Sequence, residues 1–513
     1  MSAWTIIGIL LVLLLIIGIG AYSGRKIKDS GDFITGGGKV NAWIVCGAIM
    51  GALVSSQATI GTAQLAFHFG LSAWWFTLGS GFGCLVLGLC YGLPLRRSGA
   101  VTEMQIISGE YGALSGSLSS ILCCIGIFLS VLAQMIACIG LATALIPGMS
   151  VPAAALLSMG LMCFYVVFGG TWGAGMGGVL KLILLYGASL VGMIYTLKVF
   201  GDPSGISKAV HMVFQNTNLG AIQQEIGLSA LSGGEAIKSR FFSLVSRGPM
   251  KDIGSGLSLL FGVICTQTYA QAILSAKSDY EAKKGALLAA FLIPPIGVAG
   301  ILIGLFMRTN YLLQSEVQAL AAKGLPVPQL PVLEGTIQVF PTFVLNHLHP
   351  LLAGIILGTL FISVVGGGAG LSLGMATIIV KDIYKRFFKK MSQARYELAS
   401  TRLTIVAILG IAALVASSVK GTIINDFGFL SMGLRGAVVF VPLSGALWLK
   451  GRIKPKFILA SILVAPLAVI GAKLMKAKID PLFVGIFVSF LFAFAGLQKN
   501  KPASSGRGGS RKH

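Results

Sequence analysis

The chain is a succession of apolar runs close to 20 residues long, and that feature decides what it can fold into. A backbone in hydrocarbon must satisfy every N–H and C=O internally, so runs of this length read as membrane-spanning helices. With 55% hydrophobic residues, 11% charged residues and a mean hydropathy of +0.88, a soluble globule is excluded. The runs fall at 3–22, 43–68, 72–94, 117–146, 151–168, 176–200, 253–275, 286–307, 350–380, 401–417, 427–448, 456–475 and 480–497, about thirteen in all. A net charge of +23 does not indicate a nucleic-acid partner, because the basic residues sit in short clusters between the runs and not on one face. The eight cysteines lie inside apolar stretches without a CxxC pair, which indicates neither a disulfide framework nor a metal site and reads as buried small hydrophobes.

The basic clusters set the topology. Arg25, Lys26 and Lys28 follow the first run, placing the N-terminus outside and the first loop in the cytoplasm. The same order, apolar then basic, argues against a cleaved signal peptide. An odd number of spans then puts the C-terminus in the cytoplasm, and the clusters Arg96-Arg97, Lys277 to Lys284, Lys381 to Arg402 and Lys450 to Lys456 all fall on that side. The expectation is a multi-pass protein of the plasma membrane. Residues 1–42 form an N-terminal helix and first cytoplasmic loop, 201–250 an extracellular loop, 449–497 two C-terminal helices, and 498–513 a disordered cytoplasmic tail rich in Ser, Gly and Arg. Between them lie two groups of five spans, 43–200 and 251–448. Five is odd, so the second group enters from the opposite side, which is the inverted-repeat plan of secondary transporters.

In that plan the first span of a repeat is broken at mid-membrane. The span 43–68 carries Gly51-Ala52-Leu53-Val54-Ser55-Ser56-Gln57-Ala58-Thr59-Ile60-Gly61, a polar interruption between two apolar halves. Unwinding is expected around Leu53 to Ser56; hydroxyls bonding back to their own helix are the alternative. The span beginning near Pro350 carries Val364-Val365-Gly366-Gly367-Gly368-Ala369-Gly370, where missing Cβ atoms let a backbone, a substrate or an ion come close. No Asp or Glu falls at mid-depth in a core span, whereas Arg435 does. An intramembrane arginine is a functional candidate, and its planar fork suits a carboxylate, though capping by helix carbonyls would also account for it. The polar contacts expected around a small organic anion or amino acid are Ser55, Ser56, Gln57, Gln134, Thr266 and Gln267.

Several motifs stand out along the chain: Gly31-Asp32-Phe33 before Gly36-Gly37-Gly38, Leu95-Arg96-Arg97 with Val101-Thr102-Glu103-Met104 and Glu110-Tyr111-Gly112, and Gln267, Gln271 and Leu274 to Ser278 with Glu281 to Gly285. Phe340-Pro341, His347-Leu348, Pro350 to Gly354 and Asp382 to Lys385 bracket the glycine span. In these motifs the chain resembles the sodium:solute symporter family, a group with the LeuT-type fold, over roughly residues 1–450. The resemblance implies an all-α membrane protein of 5+5 inverted repeats with one extra N-terminal and two extra C-terminal helices. It also implies a sodium site made by carbonyls of Gly51, Val54 and Ser363 with two hydroxyls that fall here on Gly366 and Gly367, which have none. The family's aspartate on the fifth core span is likewise replaced, since the stretch reads Gly175-Met176-Gly177-Gly178-Val179-Leu180-Lys181. Lys181 either fills the ion site, where desolvation would suit it to carry a proton, or extends its stem to the cytoplasmic surface. The family's sugar-binding acid and serine fall on Thr77 and Ser80 and its aromatic gate on Gly262, which disfavours a sugar; Thr77 remains a candidate contact.

The function expected is secondary active transport by alternating access, coupled to a proton or to no ion in preference to sodium, with a conventional sodium symporter as the alternative. No other cofactor is expected, and the partners are a small-molecule substrate and the lipid bilayer. An enzyme is disfavoured because no His/Asp/Glu cluster lies at membrane depth, His68, His347 and His349 being near span ends. A transporter-derived sensor or a channel is the remaining class.

Overall fold

The computed structural model describes residues 2–25, 33–34, 36–146, 148–384, 394–419, 424–475 and 479–498. Asp32, Lys385 and nearly all of the tail expected at 498–513 lie outside the described residues. Helices dominate, and the only strands among the described residues are a two-residue parallel pair, Leu312–Leu313 with Val332–Leu333. Every apolar run corresponds to a helix, yet by length and hydropathy eight qualify as full spans, or nine if the bent pair Pro249–Ile264 and Gln267–Leu274 counts as one. Ala3–Gly18, Ala42–Leu53, Val151–Val166 and Pro481–Ala495 are shorter apolar helices. The 201–250 segment differs from a plain loop, since it folds into the helices Pro203–Asn216 and Gly234–Phe241. Both have starts legible in the sequence: Asp202 accepts from the Gly205 N–H ahead of Pro203, and Gly233 takes a positive φ ahead of Gly234.

The first core span is two half-helices. Asn41 caps the first by accepting from the Ile44 N–H, the helix runs from Ala42 to Leu53, and Val54 leaves helical geometry at φ −85° and ψ 84°. The second begins at Ile60 and ends at Phe69. Between them hydroxyls supply backbone partners that the missing turns cannot, with Thr59 Oγ1 donating to the Ser55 carbonyl and Thr62 Oγ1 to that of Gln57. Pro249–Ile264 and Gln267–Leu274 form the second broken span, bent by 45° at Cys265 and Thr266.

Around these breaks pack Ala113–Leu145, Pro350–Ile378, Ile424–Trp448 and the segment Gly170–Phe200. The last meets Val151–Val166 at Gly170, whose φ of 48° is open to glycine and whose missing Cβ leaves room for Phe33 at 2.7 Å. The peripheral helices Ala3–Gly24, Pro455–Leu474 and Pro481–Ala495 expose Leu14, Leu467, Leu474 and Phe494 as a lipid-facing surface needs. Two of the cysteines differ from the expectation of burial: Cys90 is exposed and Cys163 half-buried, both on helices with lipid-facing sides, where a thiol behaves as any small apolar group.

Candidate functional site

A helix that stops in mid-membrane leaves its last carbonyls without N–H partners and presents the negative end of its dipole. The half-helix Ala42–Leu53 does so, and carbonyls at its end find donors. Val54 N–H goes to Met50, Lys181 Nζ lies 2.6 Å from the Gly51 oxygen, and Ser363 Oγ donates to the Val54 oxygen at 3.2 Å. Lys181 Nζ also lies 2.8 Å from the Ser363 carbonyl, and the residue is 2% exposed.

Glycines bring the lysine there. Gly47 and Gly51 on the half-helix face Ala174, Gly175 and Gly178 on the Gly170–Phe200 segment, so the two backbones touch directly. A Cβ at Gly51 would sit 3.2 Å from the Gly178 Cα, and one at Gly178 would fall on the Gly47 carbonyl. Lys181 follows Gly178 by one turn and therefore ends over the half-helix terminus. The glycine span has a related logic: a Cβ at Gly366 would meet the Tyr165 ring at 3.4 Å, and one at Gly367 would meet the Ser55 Cβ at 2.6 Å. A ring and a polar side chain thus stand where side chains at 366 and 367 would project.

This donor set does not fit a sodium ion. All three carbonyls already accept bonds from Lys181 or Ser363, and no hydroxyl is available at 366 or 367. A sodium about 4 Å from a protonated Lys181 would be repelled by about 4 kcal/mol at an effective dielectric near 20. The Lys181 amine occupies the place between the carbonyls.

Beside it lies a polar clasp. Gln134 Nε2 donates to Ser55 Oγ at 2.6 Å, while Gln134 Oε1 accepts from Ser56 Oγ at 2.7 Å and from the Ser56 N–H at 3.3 Å. All three residues are buried. Gln57 is 3% exposed with its Nε2 unpartnered, against Gly428, and Asn425, one turn away on the same helix, has both side-chain polar atoms unpartnered. Arg435 is fully buried and held by neutral groups: Nε donates to the Ser431 carbonyl, Nη1 to Thr266 Oγ1 at 2.6 Å, and Nη2 to Ser130 Oγ at 3.0 Å and Ser431 Oγ at 2.9 Å.

The structure therefore brings together Gly51, Val54, Lys181, Ser363, Gly366, Gly367, Ser55, Ser56 and Gln134, and places Arg435 with Thr266 at the second break. Thr77 stands apart: its hydroxyl donates to the Trp74 carbonyl and faces Gly297. Gln267 turns toward the segment after the second core span, donating to the Val101 carbonyl and accepting from the Glu103 N–H. Sequence reasoning missed Tyr165, Ser130, Ser431 and Asn425. Ser431 could have been found, since it stands four residues before Arg435 on one helix face. Tyr165 and Ser130 are distant in sequence and carry no local signal.

The clasp yields a first expectation. Gln134→Leu keeps bulk but strips partners from the Ser56 N–H and the Ser55 hydroxyl at a cost of about 1–3 kcal/mol each. Uptake should show a raised KM, and purified protein a lowered Tm.

Solved structures share this plan of broken helices. A Na+-coupled sialic acid symporter in its substrate-bound outward-open state superposes with a TM-score of 0.73 at 17% identity, covering 97% of each chain. Mhp1, a nucleobase-cation-symport-1 family transporter in a closed conformation, gives 0.53 at 11% identity over 89% of this chain and 92% of that one. At these identities the likeness defines the fold, which is LeuT-type. Residues 33–452 match the sodium:solute symporter family, and the chain belongs to it. It is a multi-pass membrane protein and a secondary active solute symporter that works by alternating access.

Proposed function

We propose that the protein carries a small organic anion or amino acid, coupled to a proton in place of sodium at the family's usual site. The observation that carries the reading is the Lys181 ammonium bonded to the Gly51 and Ser363 carbonyls. The substrate would contact Ser55, Ser56, Gln57, Gln134 and Thr266, with Arg435 as the charged anchor. Its fork is held by hydroxyls and a carbonyl, so a carboxylate can replace those neutral partners without breaking an ion pair. The repeats 43–200 and 251–448 would rock around the two breaks, with the N-terminus outside and the C-terminus in the cytoplasm as the basic clusters suggest.

The test is uptake of labelled carboxylates, amino acids and neutral solutes into proteoliposomes under imposed proton or sodium gradients. Carboxylate-bearing solutes should be taken up and compete with one another; transport confined to uncharged solutes refutes the anion reading. Arg435→Lys keeps the charge but loses the planar fork that grips a carboxylate with two parallel bonds. Losing one charge-assisted bond of about 1.5–3 kcal/mol should raise KM for a carboxylate roughly tenfold or more. Normal transport by Arg435→Gln would remove the main support for an anionic substrate. Uptake driven only by sodium would favour a conventional symporter, as the sialic acid symporter is Na+-coupled.

A further inference from the structure

We propose that Glu103 is a proton-binding site of this carrier: sealed and neutral while the inner face is closed, it ionises when that face opens and then pairs with Arg435, so that a proton and an anionic substrate travel together. The inference rests on the reading of Arg435 as the anion's anchor.

Glu103 opens the helix Glu103–Tyr111, between the spans Ile60–Arg97 and Ala113–Leu145, in a segment that the basic clusters place toward the cytoplasm. A glutamate there belongs in water. Instead it is 0% exposed, and neither carboxylate oxygen has a hydrogen-bond partner.

Its neighbours explain the burial. Thr102 Oγ1 donates to both oxygens of Asp382 at 2.9 and 2.8 Å, and Gln105 Nε2 donates to Asp382 Oδ1 at 3.0 Å. The Glu103 N–H donates to Gln267 Oε1 at 3.2 Å, and Gln267 Nε2 donates to the Val101 carbonyl at 2.9 Å. The segment is thereby pinned across the second helix break and against the end of the glycine-rich helix. Thr266, next to Gln267, takes the Arg435 fork, so Glu103 and Arg435 are anchored on adjacent residues.

The titratable and charged groups within electrostatic reach of Glu103 are Arg435 on Ile424–Trp448, Cys123 on Ala113–Leu145, Cys265 at the break and Tyr91 before the Arg96-Arg97 cluster, and Asp382 acts in turn on Cys123. Arg435 is the only cation among them, and its donors go to Ser130, Thr266 and Ser431. A charged carboxylate without a donor in a dry site is strongly disfavoured. Burial accordingly holds the Glu103 carboxyl well above the ordinary glutamate range, with the Arg435 charge a weaker opposing influence.

Opening the inner face must part the Thr102–Asp382 or Gln267–Glu103 contacts, which admits water to the carboxyl. Charge then balances in both states. The substrate carboxylate enters from the outer face with a proton that Glu103 binds, and holds Arg435; when the inner face opens and the substrate leaves, the Glu103 carboxylate takes Arg435 and the proton enters the cytoplasm. The coupling is reciprocal, since each anion displaces the other from one guanidinium.

Infrared difference spectra of purified protein test the assignment without a known substrate. Wild type minus Glu103→Gln at neutral pH should show the C=O stretch of a protonated carboxyl, and in Arg435→Gln that band should survive to a pH at least about one unit higher, because the ionised form has lost its partner. A folded-state pKa raised above the unfolded one gives stability that is complete below the ordinary value of about 4.5 and lost as pH rises through the raised value. The Tm of wild type should therefore fall relative to that of Glu103→Gln as pH increases. No protonated-carboxyl band, or a Tm difference independent of pH, overturns the proposal. An uncharged substrate would defeat the anion reading while leaving the band in place, so the two failures are distinguishable.

Discussion

Lys181→Met should abolish uptake and lower the Tm of the purified protein. Methionine nearly matches the lysine stem but removes the only donor that the Gly51 carbonyl has beyond its own helix, and one of the Ser363 carbonyl's partners. The Gly51 carbonyl sits in the seam where the half-helix backbone touches that of Ala174 and Gly178, so no other side chain stands ready to replace the amine. Each orphaned acceptor costs about 1–3 kcal/mol, and the half-helix terminus also loses the cation that its dipole favours. Lys181→Gln, which retains one donor, should fall between. The pair of glycines sets what can be restored. Gly366→Ser is sterically open, since its Cβ would meet Tyr165 at 3.4 Å, whereas Gly367→Ser would drive into Ser55 at 2.6 Å. Lys181→Gln with Gly366→Ser is therefore the variant expected to acquire sodium-stimulated uptake. Full activity of Lys181→Met would show that the ammonium is a bystander.

Gly178→Ala should be nearly as damaging although it adds one methyl group. Its Cβ would fall on the Gly47 carbonyl, and backbone atoms cannot rotate aside as a side-chain tip can. Overpacking of this kind costs about 1–3 kcal/mol or more. Spreading the helices also draws Lys181, one turn further along, away from Gly51. Uptake should fall by at least about tenfold, as one lost charge-assisted bond of about 1.5 kcal/mol implies. Gly187→Ala on the same helix meets nothing within 4 Å and should behave as wild type. Equal behaviour of the two alanines would mean that the close crossing does not matter.

The break at Val54 to Thr59 was legible because it is local: hydroxyls and glycines interrupt an apolar run, and the physics of an unsatisfied helix end acts within a few residues. The approach of Lys181 to residues 51 and 363 was legible as one of two options, since the spacing after Gly178 gives a direction but not a partner. The surroundings of Arg435 were less so. Its hydroxyl cradle comes from Ser130 and Thr266, on helices far away in sequence, and only Ser431 shares its helix. Glu103 follows the Arg96-Arg97 cluster between two spans, where a charge normally means solvent. Its burial follows from the Thr102–Asp382 and Glu103–Gln267 contacts, which tertiary packing alone creates. Thr77 shows the converse, an apparent site position whose hydroxyl is taken by its own helix.

If Lys181 stands for the coupling sodium, one charge substitutes for another. Uptake of the transported carboxylate or amino acid into proteoliposomes, with all sodium replaced by choline at constant pH and membrane potential, addresses that directly. If the Lys181 ammonium takes the place of the coupling sodium, initial rates in choline and in sodium should agree within about twofold, too small a difference to represent even 1 kcal/mol of coupling. Loss of uptake in choline, restored by sodium, would contradict the account.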